Sequence, residues 1–280
     1  MNLILQGLSA DRPTIERIAA MASAARIVSI NANAFRCEDV EFSEDLKQRI
    51  NDECLAARLD CTFVNGERKL SDFKLVVMDM DSTLITIECI DEIADMQGLK
   101  PQVAEITEAA MRGEIEFRES LTRRVALLKG LDASALQRVY DERLKLSPGA
   151  EKMLDAVKAA GLKTLLVSGG FTYFTDRMKT RLGLDYTHSN VLEIVDGKLT
   201  GKVVGGIVDA DEKKYTVERV CAELGISSKQ AIVMGDGAND LKMMSISGMS
   251  VAFRAKPVVR AQADVALNFV GLDGVLPLFS

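Results

Sequence analysis

The chain has 280 residues, 48% hydrophobic and 27% charged, with a formal net charge of −6. That length allows one large domain or two unequal ones with a core that needs no staples, and the balance is that of a soluble globular protein. The acidic surplus disfavours a nucleic-acid partner, which would be held by clustered Lys and Arg. Five cysteines (Cys37, Cys54, Cys61, Cys89, Cys221) show no CxxC or Cys/His spacing, and one histidine argues against a zinc site, so they read as reduced thiols. The opening MNLILQGLSADRP lacks the basic segment, apolar run and cleavage site of a secretory leader. No run reaches the ~18 apolar residues of a membrane span, so the expectation is a cytoplasmic protein without membrane contact.

In chain order, residues 1–72 read as a small α/β unit. Leu3–Gln6 is strand-like, Ser9-Ala-Asp-Arg-Pro13 starts a helix over Thr14–Ser23, and Ala25–Asn31 reads as a strand. Ser43–Arg58 is patterned as an amphipathic helix, Cys61–Val64 as a closing strand, and Asn65–Lys69 as a polar linker. No chemistry is evident in this segment.

From Phe73 the character changes. Lys74-Leu-Val-Val-Met78 is a continuous apolar run, the mark of a parallel strand buried on both faces. It recurs at Lys163–Ser168 and Gln230–Asp236, with shorter runs at Ser250–Phe253 and Val265–Leu267. Helices are expected at Pro148–Ala160, opened by Ser147-Pro148, and at Phe171–Leu182 and Ala238–Ser247; they end on Gly161, Gly183 and Gly248. The alternation predicts a doubly wound parallel α/β sheet. Two inserts interrupt it. Residues 90–146 hold about four helical stretches broken at Gly98, Gly113 and Gly130, and residues 189–208 form a hairpin around Asp196-Gly197.

In open parallel sheets ligands bind beyond the carboxyl ends of the strands. Three apolar strands here end in polar clusters: Asp79-Met-Asp81-Ser-Thr83, Ser168-Gly-Gly170 and Gly235-Asp-Gly-Ala-Asn-Asp240. Hydrolysing an anionic phosphomonoester requires neutralising charge, an in-line nucleophile and a proton for the leaving alkoxide. Carboxylates are suited to hold Mg²⁺. Asp79 is positioned as the nucleophile and Asp81 as general acid and then base. Against these readings stand bland ones: Ser168 as a helix cap, Lys214 as part of the solvated run Asp211–Lys214, and Asp236 with Asp240 as a turn.

DMDSTLI at Asp79–Ile85, IECIDEIA at Ile87–Ala94, SGGF at Ser168–Phe171 and GDGAND at Gly235–Asp240 together resemble the haloacid dehalogenase (HAD) superfamily, and within it the members that hydrolyse phosphoserine. The resemblance covers roughly residues 73–270. It implies a HAD-like, Rossmannoid domain over 73–280 with a helical cap at about 90–146. It also implies Mg²⁺ ligation by Asp79, the Asp81 carbonyl and Asp236, with Asp240 in the metal's water shell. Ser168, the Gly169 amide, Lys214 and Asn239 would hold phosphate, with Lys213 as the alternative lysine. Glu88 would meet the substrate ammonium, Arg124 its carboxylate and Phe117 an apolar side. Arg123 reads as a surface residue, and His188 as structural.

Residues 1–72 resemble a small ligand-binding (ACT-like) module in their β/α order, with dimerisation as the other role, so a monomer and a homodimer both stay open. Two other functions also stay open: a phosphotransferase passing phosphate from Asp79 to an alcohol, and a phospho-accepting receiver. Asp81 and the helical insert count against the receiver.

Overall fold

The computed structural model describes residues 1–66 and 68–279; Glu67, within the expected linker, lies outside the described residues. The N-terminal segment runs β1 (Asn2–Gly7), α1 (Arg12–Met21), β2 (Arg26–Asn31), β3 (Ala34–Glu38), α2 (Glu44–Ala56) and β4 (Leu59–Val64). Its four strands form an antiparallel sheet in the order β2-β3-β1-β4, the ferredoxin-like arrangement. Asp11 caps α1 by accepting the Thr14 N–H at 3.0 Å, and Ser43 caps α2 by accepting that of Leu46 at 3.1 Å. Such caps contribute about 1 kcal/mol each, which is why these two starts were readable. Leu3, Leu5, Ile15, Ile18, Phe35, Ile50 and Leu59 close one buried core. The sequence reading had no strand at β3. Its first two residues are buried, and Asn33 N–H donates to Asn31 Oδ1 at 2.8 Å in the tight turn that reverses the chain.

The remainder continues with β5 (Leu75–Met78), α3 (Cys89–Asp95), α4 (Lys100–Met111), α5 (Phe117–Leu127) and α6 (Ser134–Arg138). Then follow α7 (Ala150–Ala159), β6 (Lys163–Phe171), α8 (Thr172–Leu182), β7 (Tyr186–Val195), β8 (Lys198–Val204) and α9 (Ala210–Leu224). The last elements are β9 (Ala231–Gly235), α10 (Leu241–Ser245), β10 (Met249–Phe253), α11 (Pro257–Arg260) and β11 (Val265–Leu267). The second sheet has seven strands in the order β11-β10-β9-β5-β6-β7-β8, with β8 antiparallel to β7 at one edge. This is the α/β, doubly wound sheet that the apolar runs predicted, interrupted by the helical insert α3–α6. The Asp196-Gly197 turn has both residues in the left-handed region, φ 49° and 74°, as a two-residue hairpin turn needs.

Two helix caps differ from those the sequence offered. Helix α7 is capped by Gly149, not by Ser147-Pro148: Gly149 has φ 75°, and a Cβ there would lie 2.0 Å from Asp273 Oδ1. Ser168 does not cap α8, which opens at Thr172; it lies within β6.

The chain divides into two compact units, one of Met1–Val76, Pro148–Lys163 and Ser227–Ser280, the other of Val77–Ser147 and Thr164–Ile226. In the first, Gln6 Nε2 donates to the Gly274 carbonyl at 2.8 Å, tying the N-terminal sheet to the C-terminal segment. In the second, Val77, Met78, Leu166, Val167, Phe171 and Phe174 form a fully buried interior that holds the end of β5 beside the end of β6. No helix of the described residues is long and apolar enough to cross a membrane.

Candidate active site

Asp79 follows the last residue of β5 and is 5% exposed. A buried carboxylate needs a counter-charge, and Lys213, fully buried in the first turn of α9, supplies one: its Nζ donates to Asp79 Oδ1 at 2.6 Å. The sequence reading preferred Lys214. Lys213, which it kept as the alternative, is the one that reaches Asp79, while Lys214 is partly exposed and pairs with Glu218 at 3.7 Å. The reason is helical register. Asp209 caps α9 by accepting the Asp211 and Glu212 N–H groups at 3.1 and 3.0 Å, and this start turns Lys213 inward.

Beyond Asp79 the chain leaves the strand in a single turn, with Ser82 at φ 55°. The Asp81 Oδ1 accepts the Cys89 N–H at 3.3 Å. Its other oxygen abuts Gly170, where an added Cβ would come within 2.9 Å of Oδ2. Burial pushes the Asp81 carboxyl up to about 8; the charge of Glu88 adds to the rise, while the Cys89 N–H and Lys213 oppose it. Asp81 is therefore suited to hold a proton near neutrality, as a general acid must.

At the end of β6, Ser168 is 1% exposed and its Oγ accepts the Gly170 N–H at 2.8 Å. Asn190, which sequence reasoning missed, donates to the Gly169 carbonyl at 2.7 Å and accepts the Val208 N–H at 2.8 Å. It braces the Ser168–Gly170 end of β6 against the segment leading into α9. An asparagine inside an apolar strand pattern was the one available signal.

Around this cluster stand the insert residues. Glu88 Oε1 accepts the Ser82 hydroxyl at 2.6 Å. Arg124 on α5 is half-buried; burial works against its charge, and the carboxylates of Asp91, Glu88 and Asp81 hold it up. Phe117 leans over Gly169, where an added Cβ would lie 3.1 Å from its Cζ. Arg123 pairs with Glu119 on the surface at 2.5 Å. His188 Nε2 lies 3.1 Å from Glu212 Oε1.

The loop after β9 carries the remaining acids. Asp240 is fully buried, and its Oδ2 accepts the N–H groups of Asp236 and Gly237 at 3.1 and 3.0 Å. Gly235 must be glycine, since a Cβ there would fall 2.4 Å from that oxygen. Asn239 folds its amide over Gly237. One carboxylate oxygen each from Asp236 and Asp240 lies within 4.8 Å of the other. The donors are all hard oxygens, with no thiolate or imidazole, which fits a hard divalent cation.

A doubly wound sheet with a cation-paired acid at one strand end and an oxygen-donor cluster suits an α/β enzyme of phosphoryl chemistry. A family profile for haloacid dehalogenase-like hydrolases matches residues 73–248, and the chain belongs to that family. A second profile, for a domain of unknown function, matches residues 3–50. The chain is 60% identical to a phosphoserine phosphatase of Polaromonas over 215 residues, covering 75% of this chain and 91% of that protein. Among solved structures it resembles a probable phosphoserine phosphatase from Vibrio cholerae, with a TM-score of 0.84, 36% identity and coverage of 99% of this chain and 85% of that one. It also resembles a phospho-aspartyl intermediate analogue of phosphoserine phosphatase, with a TM-score of 0.70, 37% identity and coverage of 76% of this chain and 100% of that one.

Proposed function

We propose that this enzyme hydrolyses O-phospho-L-serine to L-serine and phosphate through a phosphorylated Asp79, the closing step of serine synthesis. The observation that carries the substrate is the pair of opposite charges beside Asp81: Glu88 and Arg124 both interact with its carboxyl. Groups complementary to an ammonium and a carboxylate thus flank the acid that serves the leaving oxygen.

In this reading an Asp79 carboxylate oxygen attacks phosphorus while Ser168, the Gly169 amide, Lys213 and Asn239 hold the phosphate oxygens. Asp81 gives its proton to the departing serine oxygen. It then takes a proton from the water that attacks the aspartyl phosphate, which releases phosphate and restores Asp79. Mg²⁺, held by Asp79, Asp236 and the Asp81 carbonyl with Asp240 in support, would neutralise the charge of the transferring group. The other employment of Asp240, ordering the Asp236–Gly237 amides, agrees with a supporting place. Among the described residues the cysteines are free thiols, which supports a reducing, cytoplasmic setting. Residues 1–72 are read as a regulatory or dimerising module. The position of β2 at the edge of its sheet supports pairing with a second copy.

The substrate assignment is tested by kcat/KM on three compounds. Arg124→Ala is expected to lower it about 10²-fold on phosphoserine, which carries the carboxylate, and far less on phosphoethanolamine, which lacks it. Glu88→Gln should penalise both ammonium-bearing compounds more than phosphoglycolate. An equal loss on all three would assign Arg124 to folding or to phosphate.

The role of Asp81 has a pH signature. Since its raised value keeps it protonated at neutrality, kcat/KM on phosphoserine should fall as pH rises past about 8, where the proton is lost. On p-nitrophenyl phosphate, whose leaving group needs no proton, the same limb should be flat up to about pH 9. Matching limbs for both substrates would remove Asp81 as proton donor.

A further inference from the structure

We infer that Asp60, in the N-terminal segment where the sequence shows no chemistry, is a positioning residue for Asp236. The inference rests on the reading of Asp236 as a metal ligand. Asp60 lies on β4 and is 2% exposed. Its carboxylate accepts three successive backbone N–H groups, from Asn268 at 2.7 Å, Phe269 at 2.9 Å and Val270 at 3.0 Å. A buried carboxylate is an expensive way to fill this junction, since the module closes its own interior with Leu3, Ile15 and Ile50. What it provides is a directional hold on three amides at once.

Those amides directly follow β11, which pairs in parallel with β10, Phe253 opposite Leu267. The Leu267 carbonyl accepts the Arg254 N–H at 2.7 Å, and Arg254 sits in the left-handed region at φ 45°. A non-glycine residue persists there only when its surroundings hold it. Two residues on, the Lys256 N–H donates to the Asp236 carbonyl at 3.1 Å. Asp236 is thus held on its amide side by Asp240 and on its carbonyl side by a turn whose strain is contained through Leu267. The N-terminal module anchors that turn through Asp60. The path is continuous, built of hydrogen bonds, and lies wholly within one compact unit.

The test uses the full-length protein and Mn²⁺ alone, titrated by electron paramagnetic resonance, with hydrogen exchange of peptides covering 235–240 and 254–270. Asp60→Asn is expected to weaken Mn²⁺ binding about fivefold and to speed exchange in both peptides. Ile50→Ala, in the interior of the same module and away from the brace, should leave Mn²⁺ binding within about twofold of wild type. Should Asp60→Asn fail to fold, Asp60→Glu, which keeps the charge and displaces the acceptors by a methylene, carries the same expectation. Unchanged Mn²⁺ binding in the Asp60 variant, or equal weakening by Ile50→Ala, would overturn the inference. Asp236→Asn in the same titration tests the underlying reading separately. Normal Mn²⁺ binding there would remove the metal assignment itself, whatever Asp60 does.

Discussion

Asp79→Asn is expected to abolish phosphate release from phosphoserine, a fall of at least about 10⁴-fold. The substitution is nearly isosteric at a site 5% exposed, but it leaves the buried Lys213 short of its counter-charge, so some thermal stability should be lost while the loss of turnover far exceeds it. An amide neither attacks phosphorus nor carries the phosphoryl group to a second step. It also cannot offer Lys213 a full negative charge, so the 2.6 Å pair that orients the nucleophile is weakened as well. A mechanism in which water attacks phosphorus directly, with Asp79 serving only as a ligand, predicts something else: reduced but measurable turnover and normal binding of phosphate mimics. Two measurements separate the cases. Beryllofluoride with Mg²⁺, an aspartyl-phosphate mimic, should stabilise the wild type against heat and leave Asp79→Asn unchanged. Rapid acid quench of labelled phosphoserine should trap phosphate on the wild-type protein and none on the variant. Turnover near the wild-type rate by Asp79→Asn would end the covalent reading.

What the sequence made legible follows from how strongly each feature is constrained. A strand buried on both faces of a parallel sheet must be apolar throughout, so β5, β6 and β9 were visible as runs, and the first polar residues after them marked candidate site positions. Asp79, Ser168 and Asp236 were singled out as candidates this way, and the Asp196-Gly197 turn announced its hairpin by residue type. Features set by tertiary contact were not legible. Strand β3 is buried at Ala34, Phe35 and Cys37 and half-buried at Arg36 and Glu38, and its pairing with β1 and β2 decides its state more than its own propensity. Gly149 caps α7 because the Asp273 side chain crowds that point, from more than a hundred residues away. Asp60 looked like any acid before a strand, since nothing local reveals that its partners are the amides of residues 268–270. The choice between Lys213 and Lys214 was of the same kind. In an unassigned helix the charge run Asp211–Lys214 has no inside and no outside until the cap at Asp209 sets the register.

That register gives a prediction with a sharp contrast between neighbours. Lys213→Ala removes a cation from a fully buried position and leaves the Asp79 carboxylate short of its counter-charge, a change that typically costs about 3–5 kcal/mol for a buried pair. It also removes the positive charge that would meet the phosphate oxygens. The expected result is a loss of about 10³-fold in kcat/KM on phosphoserine, with part of the loss appearing as lower thermal stability. Lys214→Ala removes a side chain that is 39% exposed and pairs with Glu218 at 3.7 Å along the helix surface. Pairs of that kind are worth at most about 1 kcal/mol, so activity should stay within about twofold of wild type. Lys213→Arg sharpens the test: it keeps the charge but enlarges the head group in a fully enclosed space, and should recover stability better than catalysis. Kinetics and melting temperatures for the three variants, measured at one ionic strength, decide the matter. Comparable losses in Lys213→Ala and Lys214→Ala would mean that α9 turns during the reaction and that its resting register is not the one that carries phosphate. A large loss confined to Lys214→Ala would overturn the assignment outright.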